Sequence, residues 1–147
     1  MGNTLGAPDK APLHLWIVGV VSLLWNFGGV MSYTSTKLGY LEAMDYPPDM
    51  LAFVEGFPAW ATAFWALGVW GAFFGSVALL FRSKWAVSLF GVALIGLAGT
   101  TVYQRIVADL PEGFQTTGQN LFAAAIWVIT IGLFIYASRM QRAGVLR

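Results

Sequence analysis

The sequence predicts an all-α membrane protein: a bundle of four transmembrane helices with both termini in the cytoplasm. Three observations predict it. The 147 residues are 58% hydrophobic and only 10% charged, with a mean hydropathy of +0.69, where a soluble domain carries roughly 25% charged residues. Four stretches, at about 13–33, 59–81, 85–103 and 120–138, are free of Asp, Glu, Lys and Arg, and each matches the roughly 20 apolar residues that cross a hydrocarbon core. The basic residues divide unevenly between the connecting segments. Lys10, Arg82, Lys84, Arg139, Arg142 and Arg147 fall on one side, and only Lys37 and Arg105 on the other. Lys and Arg accumulate in cytoplasmic segments, which sets the orientation.

Taken in order, the first span follows Pro12, a residue suited to the start of a helix. Its apolar run is longer than a signal-peptide core and no clean small-x-small site follows, so it stays attached. Met1-Gly2 opens the chain, but Gly6 stands where myristoylation requires Ser or Thr, so no lipid anchor is expected. The loop from Lys37 to Phe57 is the longest. Within it Pro47-Pro48-Asp49 signals a helix start, and Met50, Leu51, Phe53, Val54 and Phe57 recur at helical spacing. That predicts a short helix lying on the extracytoplasmic interface, or else a structured connection packed over the bundle. Pro58 opens the second span. Arg82-Ser83-Lys84 is so short a link that spans two and three form a tight antiparallel hairpin. Pro111 lies in the last loop, before span four. No internal repeat is visible, so the chain reads as one membrane domain over 1–147 without inverted-repeat architecture.

Helices in lipid approach closely where small residues line the contact. Gly68, Gly71, Gly75 and Ala78 form such a seam on span two, and Gly19, Ser22, Asn26, Gly29 and Tyr33 form one on span one. Gly91, Gly96 and Gly99 follow on span three. The seams serve packing within one bundle, or contact between copies. In the second case Gly71 and Gly75 are the expected meeting point of parallel copies, because so thin a bundle leaves little room for an aqueous path through one copy.

Polar side chains gather at the extracytoplasmic ends: Tyr33, Thr100, Gln104 and Asn120 are the candidate lining of a polar vestibule. Asn26 alone lies near the middle of a span, where an amide needs a partner on another helix or on a ligand. Trp25, Trp65, Trp70 and Trp127 also sit at mid-depth, as cavity lining or as space-filling between the seams. Absences narrow the chemistry. With no cysteine and one histidine, thiol redox, Cys-ligated metal and multi-histidine sites are excluded, and no metal or cofactor is expected. His14 stands at the cytoplasmic interface without a companion, as a snorkelling polar residue. No carboxylate within a span is available for proton coupling, no Ser/His/Asp set for hydrolysis, and a net charge of +1 gives no footprint for nucleic acid.

The residues Trp25-Asn26 with Gly29 and Tyr33, Phe57-Pro58-Ala59-Trp60, Ala63-Phe64-Trp65-Ala66, Val69-Trp70-Gly71, Gly75-Ser76 and Arg82-Ser83-Lys84-Trp85-Ala86-Val87 resemble a family of small bacterial inner-membrane proteins. Its members have four spans and are often labelled "sugar transporter". Members tend to carry an acidic residue just before the tyrosine, and here Ser32 stands there. The resemblance covers about residues 13–103 and implies a multi-pass protein of the bacterial inner membrane. The expected function is a non-enzymatic accessory or interaction subunit, in contact with lipid and assembling with copies of itself or with a larger membrane complex. The alternative is a carrier of small neutral, sugar-like solutes, with ligand contacts at Asn26, Tyr33, Trp65, Thr100, Gln104 and Asn120.

Overall fold

The computed structural model describes residues 10–147, and the region around Met1-Gly2 and Gly6 lies outside them. In chain order the helices are α1 (Leu13–Lys37), α2 (Pro48–Glu55), α3 (Ala59–Leu80), α4 (Trp85–Val102) and α5 (Thr117–Arg142). A π-helical turn over Tyr103–Val107 prolongs α4. Short 3-10 turns at Glu42–Met44 and Glu112–Phe114 sit in the two loops at one end. Four of these helices, α1, α3, α4 with its π turn, and α5, are long and apolar enough to cross a membrane.

The helices outrun the hydropathy spans because a helix does not stop where the side chains turn polar. α1 continues through Thr34, Ser35 and Thr36 to Lys37. The Thr36 hydroxyl hydrogen-bonds to the Ser32 carbonyl 2.8 Å away and so costs the helix little. α5 begins three residues early because Thr116 caps it, its hydroxyl accepting from the Gln119 N–H at 3.2 Å. Pro12 and Pro58 take extended backbone angles immediately before α1 and α3, and Pro48 is the first residue of α2.

Successive spans pack side by side: α1 on α3, α3 on α4, and α4 on α5. The α3–α4 hairpin is the tightest contact. A Cβ on Gly71 would lie 3.0 Å from the Ala93 nitrogen, one on Gly75 2.8 Å from the Phe90 ring, and one on Gly68 3.3 Å from the Leu97 nitrogen. On the facing helix, a Cβ at Gly96 would overlap the Gly68 nitrogen. The seam with Gly71 and Gly75 therefore faces α4, inside the bundle. Of the two uses read from the sequence, these contacts are those of packing within one bundle: both glycines are buried, and the atoms they approach belong to the same chain. α1 meets α3 as an antiparallel ladder along the seam read from span one. Gly19 faces Leu80, Asn26 bonds to Ala72 and Ser76, and Tyr33 stacks edge-on to Trp65 with ring centres 4.9 Å apart. Gly29 is the looser member. A Cβ there would sit 3.9 Å from Val69, an ordinary contact, so close packing does not require glycine at that position.

One end of the bundle is closed. Leu15, Leu79, Ala86, Phe90, Leu133, Ala137 and Leu146 form its core. Arg82 adopts a left-handed φ of 54°, which turns the α3–α4 link toward the segment after α5. There the Arg147 N–H donates to the Arg82 carbonyl at 2.8 Å, the Lys84 N–H donates to the Arg147 carbonyl at 3.0 Å, and Arg82 Nε donates to the Val145 carbonyl at 3.1 Å. His14 is not alone, contrary to the expectation above: its Nδ1 lies 2.5 Å from the Tyr136 hydroxyl. That contact joins the two outer helices, α1 and α5, at the closed end. Both ends of the described chain thus lie on the same side as Arg82 and Lys84.

The other end is roofed. α2 lays Met50 against Gly113, while Phe53 packs with Phe57, Tyr103 and Phe114 at ring-centre distances of 5.5, 6.2 and 5.7 Å. Its apolar face is turned onto the neighbouring loop and the bundle. The short helix expected in this loop is thus present, held by these contacts against its neighbours.

Candidate functional site

Between the closed end and the roof lies a cavity of about 630 Å³. Its walls come from all four long helices. α1 gives Leu24, Trp25, Asn26, Gly28 and Gly29; α3 gives Trp65, Gly68 and Val69; α4 gives Ala93, Leu97, Thr100, Thr101 and Gln104; α5 gives Phe122, Ala123, Ile126, Trp127 and Thr130. Leu41, Tyr46, Val54, Phe57, Leu110 and Phe114 form the roof. The cavity exists because α1 and α5 touch through side chains and not along their backbones. Beyond His14 and Tyr136, the rings of Trp25 and Phe122 meet across the gap with centres 5.8 Å apart. One copy therefore holds internal space, while the packed closed end lies across any path through it. The glycine seams draw α3 against α4, but the opposite side of the bundle stays open.

Asn26 shows how the site is held. It is 8% exposed, and its Nδ2 donates to Ser76 Oγ at 2.8 Å and to the Ala72 carbonyl at 3.2 Å. A carbonyl only accepts, so these partners fix the amide orientation. Oδ1 remains as the acceptor of a side chain that lines the cavity at mid-depth. Asn26 is therefore both a link to α3 and a polar point in the cavity wall. Trp127 likewise spends its indole N–H on Thr101 Oγ1 at 3.2 Å, which fixes the ring in the wall between α4 and α5.

Most hydroxyls around the cavity have already spent their protons. Thr36, Thr100, Thr101 and Thr130 each donate to the carbonyl four residues earlier in their own helix, at 2.8, 2.9, 2.8 and 2.7 Å. A hydroxyl has one proton to give, so these threonines present acceptors but no donor. Donors concentrate at the roofed end, where Gln104, Arg105 and Gln119 line the opening. A smaller polar pocket of about 370 Å³ adjoins there, sharing Gln104 and Arg105 and adding Asp109, Gln115 and Asn120. Arg105 Nη2 donates to Asn120 Oδ1 at 2.8 Å, and Asn120 Nδ2 donates to the Gln115 carbonyl at 3.4 Å.

Of the six residues put forward from sequence, Asn26, Trp65, Thr100 and Gln104 line the large cavity. Asn120 lines the smaller pocket with Gln104, and Tyr33 stands behind the wall as the edge-on partner of Trp65. Among the mid-depth tryptophans, Trp25, Trp65 and Trp127 line the cavity, whereas Trp70 stacks on Phe74 with ring centres 5.8 Å apart. Sequence reasoning passed over Arg105 as a site residue and had no sign of the π turn that carries it. A π turn widens the helix by one residue and is found often at functional sites. Here it places Gln104 and Arg105 on the rim shared by the two pockets. Comparison of the chain with protein-family models, with curated proteins and with solved structures finds no match.

Proposed function

We propose that this protein is a non-enzymatic, ligand-binding membrane subunit that receives a small molecule in the cavity between α1 and α5. The observation that carries the reading is the cavity itself. Its volume is in the range of small-molecule sites, roughly 300–1,000 Å³. Its apolar walls hold a few fixed polar atoms, with Asn26 Oδ1 as the acceptor at mid-depth. The packed closed end supports binding over conduction, because Leu15, Phe90, Leu133 and Ala137 fill the bundle below the cavity. The carrier reading requires that end to part in a second conformation.

Orientation follows from the charges. The closed end carries Arg82, Lys84, Arg139 and Arg142 and faces the cytoplasm, and the roofed end faces outward. Placement in a bacterial inner membrane rests on the resemblance described above. A sugar-like solute is only half served: it can donate its hydroxyl protons to the cavity threonines, but its ring and hydroxyl oxygens find no donor on Thr100, Thr101 or Thr130. The test is ligand-dependent thermal stabilisation of the purified protein across neutral solutes and apolar compounds. At least one class is expected to stabilise the wild type saturably, with the shift lost in Asn26→Leu. A wild type indifferent to every compound would remove the ligand-binding reading and leave a purely structural subunit.

A further inference from the structure

We propose that the occupant of the cavity is a single-chain amphiphile with an anionic head, taken up from the lipid phase between α1 and α5; this rests on the ligand-binding reading above. Shape is the first argument. The α4 lining runs from Ala93 to Arg105, which at about 1.5 Å per residue makes the cavity about 18 Å deep. That is more than half of a hydrocarbon core about 30 Å thick. A volume of about 630 Å³ over such a length is long and slender, the form of an extended chain.

Chemistry along the length is the second argument. The lower and middle walls are apolar, and the hydroxyl protons of Thr130 at mid-depth and of Thr100 and Thr101 a turn below Gln104 are bound to helix carbonyls. The donors stand at one end only, which is the distribution a head and a tail require. Arg105 has five N–H groups, and among the described residues the hydrogen bond it makes runs to the neutral amide of Asn120. Its charge is thus left for an anionic head, which the adjoining polar pocket of about 370 Å³ has room to hold. Asp109 lines the same pocket and confines an anion to the Arg105 side.

The route is the third argument. The roof of aromatic side chains narrows the cavity end-on to the polar rim at Gln104 and Arg105, while its flank between α1 and α5 is edged by exposed residues: Trp25 is 37% exposed and Phe122 54%. Beside Trp25, Gly28 lines the cavity, and a Cβ there would meet nothing within 4 Å. The rings of Trp25 and Phe122, in contact with each other, are the side chains that stand between the cavity and lipid on this flank.

The experiment photolabels the full-length protein, in nanodiscs of zwitterionic phospholipid, with palmitate carrying a diazirine on its chain. Labelling is expected to saturate, to fall on α1 at Leu24–Gly29 and α5 at Phe122–Trp127, and to be competed by unlabelled palmitate. Hexadecanol, the same chain without the charge, is expected to compete about tenfold less well, and Arg105→Gln to erase that difference. Gly28→Trp places a ring in the open flank and is expected to lower labelling several-fold with the melting temperature unchanged. Label spread evenly over lipid-facing positions such as Ile17 and Val21, or equal competition by hexadecanol, would overturn the proposal. So would a two-chain phosphatidylglycerol that competes better than palmitate. A compact solute that binds in an Asn26-dependent way while palmitate does not label the cavity would overturn this inference and leave the ligand-binding reading standing.

Discussion

Asn26 carries two loads at once, fastening α1 to α3 and setting a carbonyl oxygen in the cavity wall. Replacing it with Leu removes two hydrogen bonds in an apolar surround and is expected to cost about 1–2 kcal/mol, measured as a fall in unfolding midpoint in mild denaturant. Gly96→Ala is expected to cost more than a typical surface change, about 1–3 kcal/mol, because its Cβ would overlap the Gly68 backbone and the helices would have to part. Gly28→Ala, where a Cβ meets nothing, is the matched control and is expected to be neutral. Asn26 was legible in the sequence because an amide at mid-span stands out against its apolar neighbours. The spent hydroxyls of Thr100, Thr101 and Thr130 were not, since composition records a hydroxyl and not where its proton points. Nor was the His14–Tyr136 contact, between residues 122 positions apart with no pattern linking them.

At the scale of elements, the α3–α4 hairpin is the rigid half of the molecule and the α1–α5 flank the yielding half. Gly71→Leu with Gly75→Leu tests the first statement. Both side chains would enter buried contact with Ala93 and Phe90, so the double variant is expected to lose its protease-resistant fold. A folded, inserted variant that merely loses self-association would instead place the seam between copies. The number of spans and their order were readable because apolar runs near membrane length with Pro at their starts have few other meanings. Their ends were less so: Thr116 as a cap and the polar turn of α1 to Lys37 lie outside any apolar window. The α2 helix was signalled by Pro48 and its periodicity. What it covers was not, because the rings of Phe57, Tyr103 and Phe114 come from three separate segments.

For the whole molecule, an even number of spans places both described ends with the Arg82–Lys84 link, and the proposed orientation, drawn from the excess of Lys and Arg there, turns that end to the cytoplasm. A roofed cavity opening outward above a sealed cytoplasmic end is the central claim, and the absence of cysteine makes it directly measurable. Single cysteines at Thr100 or Gln104 in the cavity, and at Ala137 in the closed core, are treated in intact cells with a membrane-impermeant thiol reagent. Thr100→Cys and Gln104→Cys are expected to react from outside and Ala137→Cys to stay silent. Reaction at Ala137→Cys together with silence at Thr100→Cys and Gln104→Cys would contradict both the orientation and the placement of the cavity.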